Sequence, residues 1–132
     1  MSGELDLEKL LRFMEPKLLA ESFVFCTTTK LPIESVMALY PVSVYQEDEG
    51  LSLILAERVA RSAGLEFDTV FRCITLSVHS SLNAVGLTAA VASKLSINGI
   101  SANVVAAYYH DHIYVPEANA EQALALLNEL KA

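Results

Sequence analysis

A similar order of short strands and helices is predicted twice along this chain of 132 residues. From Phe71 onward the pattern predicts strand, helix, strand, strand and helix, and from Phe23 to about Val78 it predicts strand, short helix, strand, strand, short helix and strand. The strand at Phe71–His79 is counted in both halves, and no Gly-, Ser- or Pro-rich linker separates them. Because the helices of such a unit must cover one face of its sheet, we predict an α+β protein of two small, continuous modules.

The first half begins with an amphipathic helix. Apolar residues recur at helical spacing from Leu5 to Met14 and Pro16 ends the pattern, which predicts a peripheral covering helix. The other elements predicted in this half are a strand at Phe23–Thr29, a brief helix at Ile33–Leu39, strands at Val42–Tyr45 and Leu51–Leu55, and a helix at Ala56–Ala63 that Gly64 ends. Leu51–Ala63 equally fits one amphipathic helix, and we choose the hairpin strand followed by a short helix.

The second half contains the clearest strand, Phe71–His79, whose alternation puts Ile74, Leu76 and Val78 on a core face. A helix rich in small residues is predicted at Val85–Asn98, with Gly99 as its stop. The remaining predicted elements are a strand at Ile100–Tyr108, a tight turn at His110–Asp111, a strand at His112–Val115 and a closing helix at Ala118–Leu130 with a stripe of Ala123, Leu124, Leu127 and Leu130.

Composition narrows the class of protein. Hydrophobic residues make up 53% of the chain, yet no apolar run reaches the roughly 18 residues that a membrane span needs, so we predict a soluble protein. The apolar excess favours a homo-oligomer, and we expect a homodimer through a strand edge or a sheet-to-helix contact. The net charge of −7, with no basic cluster, argues against nucleic acid or anionic membranes as partners.

The two cysteines indicate the cellular compartment. Cys26 and Cys73 lie inside apolar runs, which is typical of buried, reduced thiols. The N-terminus is acidic and lacks the layout of a signal peptide. Without a disulfide framework or an export signal, the cytoplasm is the predicted location.

Several segments of the chain resemble the ACT domain family of amino-acid-binding regulatory modules. They are Asn83–Thr88 opening a helix, Gly99–Asn103 opening a strand, Tyr108–Pro116, and Glu47–Leu51 in the first half. They look most like a bacterial family of uncharacterised tandem-ACT proteins, which is similar to the ACT modules of the eukaryotic arginine sensors in TOR signalling. The resemblance implies two ferredoxin-like βαββαβ modules with antiparallel sheets and helices on one face, at residues 1–68 (with the leading helix) and 69–132. It implies a non-catalytic sensor of a free amino acid, bound at a module or subunit interface, with no cofactor and with an unidentified protein partner.

The strongest candidate site is the turn that opens the helix at Val85. The first N–H groups of a helix lack intrahelical partners and lie at the positive end of its dipole, so they can receive a carboxylate. Gly86 permits close approach of a ligand, or merely close packing of the helix on the sheet. Asp111 is a natural counter-charge for an ammonium or guanidinium group, or only a turn residue. With the resemblance, the predicted ligand-binding residues are Asn83, Ala84, Val85, Gly86, Leu87, Thr88, Ser101, Asn103, Asp111 and His112.

Two alternatives remain open. The chain could be a ligand-free interaction module that uses the sheet only to dimerise, or a metal-binding protein centred on His110, Asp111 and His112, since imidazole and carboxylate are common zinc ligands. Catalysis is not predicted, because Ser80 and Ser81 next to His79 lack the spacing of a nucleophile and its base.

Overall fold

The computed structural model describes residues 3, 5–79, 81 and 85–131. Its helices are α1 (Leu7–Phe13), α2 (Ile33–Met37), α3 (Glu57–Ser62), α4 (Leu87–Ile97) and α5 (Ala120–Glu129), the last preceded by a 3₁₀ turn at Glu117–Asn119. Its strands are β1 (Pro16–Thr28), β2 (Ser43–Glu47), β3 (Gly50–Ala56), β4 (Phe71–Leu76), β5 (Asn103–Ala106) and β6 (Asp111–Pro116). Among the described residues, none of these helices has the length and apolar character to cross a membrane.

The chain divides into two compact units, and both boundaries fall inside strands. Residues 1–20 and 72–132 form one, here called the terminal unit, and residues 21–71 form the other, the central unit. The predicted division into modules of residues 1–68 and 69–132 stays a prediction. The modules were defined by the repeated order of strands and helices along the chain, whereas the two units are defined by contacts in space.

The terminal unit has the strand order β1-β4-β6-β5, with the start of β1 as its contribution from the N-terminal part of the chain. Its core joins apolar residues of β4 and β6 to the buried faces of α1, α4 and α5. Leu10 and Met14 are fully buried there, so the prediction that the leading helix is only a peripheral cover is wrong. The physical reason is that α1 supplies part of the helix layer that every one-sheet unit needs.

The central unit has the strand order β2-β3-β1, with Phe71 as its last residue. The β2–β3 hairpin is antiparallel, with Glu47 opposite Gly50, and β3 pairs antiparallel with β1 from Phe23↔Ala56 to Thr28↔Leu51. Alternate residues of these strands, with α2 and α3, form a separate core around Val24, Val36, Leu53 and Leu55. The other face of this sheet carries no helix of the central unit.

The predicted α+β architecture is confirmed, and so is the choice of a hairpin strand over one long helix at Leu51–Ala63. Several boundaries differ. β1 begins at Pro16 instead of Phe23, and β4 ends at Leu76 instead of His79. β5 is confined to Asn103–Ala106, and β6 begins at Asp111, which was predicted to lie in a turn.

Candidate functional site

The tip of the β5–β6 hairpin lies two residues earlier than the predicted turn at His110–Asp111. The Ala107 N–H donates to the His110 carbonyl oxygen at 3.1 Å, and Ala106 pairs with Asp111 across the ladder. The turn therefore consists of residues 107–110, with Tyr108 and Tyr109 at its tip, 54% and 63% exposed.

This turn lies against the end of β4. His110 Nδ1 is 3.4 Å from the Val78 carbonyl oxygen. The His79 ring centroid lies 5.1 Å from that of Tyr109 and 6.1 Å from that of Tyr108, and the two tyrosine rings are 5.0 Å apart. We call these three side chains the aromatic corner. Exposed aromatic faces of this kind attract ammonium and guanidinium groups.

The chain leaves β4 at this end of the sheet and soon enters α4. The six peptide steps from His79 to Val85 span at most about 20 Å, which limits how far the start of α4 can lie from the aromatic corner. Val85 is 82% exposed and Thr88 is exposed, so the start of this eleven-residue helix lies at the surface. The first N–H groups of a helix lack intrahelical partners and can receive an anion.

The backbone conformation and the packing at position 86 explain why this residue is glycine. Its φ is +104°, a left-handed conformation that favours glycine, and a Cβ there would lie 3.0 Å from Leu7 Cδ2. The Leu7 side chain of α1 therefore occupies the space beside the Gly86 α-carbon. Close approach of a ligand to this atom, which was predicted, would require Leu7 to move, so the accessible side of the turn is the one that Val85 and Thr88 occupy.

Asp111 is buried, only 8% exposed. Along β6 it alternates with Ile113 and Val115, which belong to the core under the helices, so its carboxylate lies on the helix side of the sheet. Asp111 has interaction partners there. The prediction of an exposed turn carboxylate is wrong, because the register of the hairpin places this residue in the first rung of β6.

His112 faces the opposite side of the sheet, because neighbouring strand residues point to opposite faces. Its Nδ1 is 3.0 Å from Thr75 Oγ1, and the Cys73 Sγ lies 3.8 Å from the same hydroxyl.

Burial raises the pKa of the Cys73 thiol and that of the Tyr114 phenol beside it, so the thiol is held in its protonated, unreactive form.

The geometry does not favour the metal alternative. The His110 and His112 rings are nearly perpendicular with centroids 6.5 Å apart, and Asp111 lies on the other face. Within residues 5–79 and 85–131, no three His, Cys, Asp or Glu side chains are grouped so that they could hold a metal ion.

The remaining predicted site residues are dispersed. Leu87 belongs to the core, so only its backbone could reach a ligand. Ser101 and Asn103 are exposed, but Asn103 pairs with Tyr114 at the far end of the hairpin, about 10 Å from the Asp111 rung. Asn83, Ala84 and Ser80 lie outside the described residues. Val85, Gly86 and Thr88 lie at the start of α4, which follows β4 along the chain, and the 107–110 turn lies against the end of β4.

The His112 imidazole makes stability depend on pH. Burial, then the neighbouring His110, lower its pKa, with a smaller opposing effect of Asp111. In the unfolded state the imidazole has its ordinary pKa of about 6.5, so it takes up a proton there first as the pH falls. The contribution of neutral His112 to the free energy of unfolding is therefore complete above about pH 6.5. It is lost as the pH drops toward the lower pKa of the folded state.

We accordingly expect the free energy of unfolding to fall between about pH 7 and about pH 5, and to fall less steeply in His112→Gln. Urea unfolding at several pH values measures both slopes, with His79→Gln as a control that leaves His112 and Thr75 in place. Equal slopes for His112→Gln and the unmodified protein would contradict this assignment.

The aromatic corner was missed as a group in the sequence. The meeting of His79 with Tyr108 and Tyr109 depends on β4 and β6 being neighbours in the sheet. The available signal was two adjacent tyrosines beside a histidine at a hairpin tip.

Family models and solved structures of known proteins match most of this chain. A family model of the ACT domain matches residues 2–72, and a second ACT-domain model matches residues 68–129. The chain is 49% identical to a Vibrio cholerae protein of unknown function, described as a possible transport protein, over 96% of both chains and with a TM-score of 0.86. No curated protein matches it.

More distant structures share the fold alone. A protein from Agrobacterium tumefaciens is 22% identical over 89% of each chain, with a TM-score of 0.73. The ligand-free regulatory subunit of aspartate kinase from Thermus thermophilus is 9% identical, with a TM-score of 0.63 over 91% of this chain and 99% of that one. The ferredoxin-like fold predicted from the resemblance is thereby confirmed.

Proposed function

The chain belongs to the ACT domain family, with two such domains in tandem, and we propose from this membership that it is a non-catalytic regulatory protein that binds a free amino acid. ACT domains typically bind amino acids for regulation. The proposal also places the protein in the cytoplasm, as a homodimer with an unidentified protein partner.

The observation that carries the proposal is that the 107–110 turn lies against the end of β4, the strand that leads into α4. The first turn of α4 offers N–H groups that lack intrahelical partners and the positive end of a helix dipole. The aromatic corner offers exposed ring faces on the adjacent hairpin turn. A zwitterion needs a place for an anion and a place for a cation, and these two features supply both.

In this proposal the ligand carboxylate lies against the backbone at Val85–Thr88, and its ammonium group lies over the aromatic corner. Asp111 contributes negative charge from beneath the turn without contacting the ligand, since its side chain is on the helix side of β6. Binding then orders both loops together, which shifts the population toward one conformation of this end of the unit.

A thermal-shift screen of the twenty amino acids tests the proposal, because a ligand that binds only the native state raises its melting temperature. The predicted relation to arginine sensors stays a prediction that the same screen addresses. Stabilisation by one amino acid or a small group of them is the expected result. No shift with any of them, together with a dimer in light scattering, would favour the ligand-free interaction module instead.

A pair of charge variants at the two ends of α4 locates the site. Val85→Asp places a carboxylate just before the Gly86 cap and should weaken binding of the amino acid found in the screen at least about tenfold, or about 1.4 kcal/mol. Ile97→Asp is the matched control, since Ile97 is 84% exposed at the other end of the same helix. Calorimetric titration measures both affinities. Equal affinity in the two variants would place the site away from the start of α4.

A further inference from the structure

A cavity of about 380 Å³ opens on the sheet of the central unit, on the face away from α2 and α3. The side chains on this face come from three strands and form two cross-strand rows. They are Ser43, Ile54 and Phe25 in one row and Tyr45, Ser52 and Thr27 in the other. The loops of the amino-acid site proposed above belong to the terminal unit, so this cavity is separate from them.

The volume of the cavity is that of a small-molecule site. Ligand pockets run from about 300 to about 1,000 Å³, and a cavity of about 150 Å³ lined by Leu, Ile and Phe already holds benzene. The space therefore suits one aromatic ring system with a short polar substituent.

The lining favours an aromatic ring. Phe25 packs edge-on against Phe71 with ring centroids 5.0 Å apart, and its own ring remains 38% exposed. Ile54 is buried beneath the cavity, and Tyr45, 71% exposed, stands at its outer side. Edge-on aromatic pairs of this kind attract each other beyond the effect of buried area, so a ligand ring can add to the pair.

The polar groups favour a cation over an anion as the substituent. Glu47 follows Tyr45 on the same face of β2, and its carboxylate accepts a hydrogen bond from Ser52 Oγ at the edge of the cavity. None of the described lining residues is Lys or Arg, and Asp48 and Glu49 add negative charge beside Glu47. An ammonium group near Glu47 gains a charge-assisted hydrogen bond that a carboxylate could not make.

We propose that this face of the central unit, lined by Phe25, Thr27, Tyr45, Ser52 and Ile54 with Glu47 at its edge, is a second binding site that takes a small aromatic amine. The ring lies on Phe25 and Ile54, and the ammonium group is directed toward Glu47.

Tryptamine is a suitable probe, because the chain contains no tryptophan and the indole fluorescence then belongs to the ligand alone. Titrating the full chain into tryptamine should give a saturable rise in fluorescence anisotropy. Indole-3-propionate, which has the same ring and the opposite charge, should bind at least about tenfold more weakly. Equal affinity for the two compounds would overturn the assignment of Glu47.

Two tyrosine substitutions test the location. Thr27→Tyr fills the cavity from an exposed strand position and should weaken tryptamine binding at least about tenfold. Gln46→Tyr adds the same side chain to the other face of β2, where Gln46 pairs with Leu51, and should leave the affinity unchanged. Equal effects of both variants, or no saturable binding by the unmodified protein, would overturn the proposal. So would conversion of a dimer to a monomer by Thr27→Tyr without an effect on tryptamine, since a second copy would then occupy this face.

Discussion

Replacing Gly50 by alanine is expected to destabilise the protein by about 3 kcal/mol, through backbone strain and a steric clash together. The φ of Gly50 is +149°, within the region that side chains disfavour. A Cβ at this position would lie 2.8 Å from the Thr28 carbonyl oxygen, which is backbone and cannot rotate away. Since Gly50 opens β3, the β2–β3 hairpin must shift to accept the methyl group.

Gly64→Ala is the matched control. Gly64 also has a positive φ, +71°, but a Cβ there would meet no atom within 4 Å, so only the conformational cost of about 1 kcal/mol is expected. Urea unfolding followed by circular dichroism measures both changes in the free energy of unfolding. Equal losses in the two variants would show that the contact with Thr28 contributes nothing.

Asp111→Ala is expected to cost about 2 kcal/mol of unfolding free energy, because it removes a buried polar side chain together with its interactions. Only 8% of the residue is exposed, and it is not without an interaction partner. Its position at the first rung of β6 makes it part of the hairpin's packing.

The control for this substitution is Asp68→Ala, at an exposed position of the central unit where a change within about 0.5 kcal/mol is expected. Chemical unfolding of both variants measures the difference. A free energy of unfolding in Asp111→Ala that matches that of Asp68→Ala would mean that the Asp111 carboxylate contributes no more than a surface group.

The types of most elements could be predicted from sequence period and turn residues alone. The alternation in Phe71–Leu76 and the acidic turn before Gly50 are local signals, and local signals determined β4 and the β2–β3 hairpin. The start of β1 could not be predicted in this way, because Lys17–Ser22 does not alternate. It is held as a strand by contacts distant in sequence, among them two hydrogen bonds from the Arg72 guanidinium to the Leu19 carbonyl oxygen at 2.6 and 2.9 Å.

The candidate site was predictable in part for the same reason. The start of α4 is marked by Gly86 and by helical spacing after it, so the turn proposed to receive the ligand carboxylate follows from the sequence. The side of the sheet on which Asp111 lies depends on the hairpin register, and a shift of one residue reverses the face. The aromatic corner depends on two strands that are neighbours in space and distant in sequence.

The central claim is that a free amino acid binds where the first turn of α4 meets the β5–β6 turn. Titrating the amino acid found in the screen into ¹⁵N-labelled protein and recording backbone amide chemical shifts tests it most directly. We predict that the largest changes fall at residues 85–88 and 107–111, with small changes in β2 and β3. Changes concentrated at residues 43–54, or saturating binding without any change at residues 85–88, would contradict the claim.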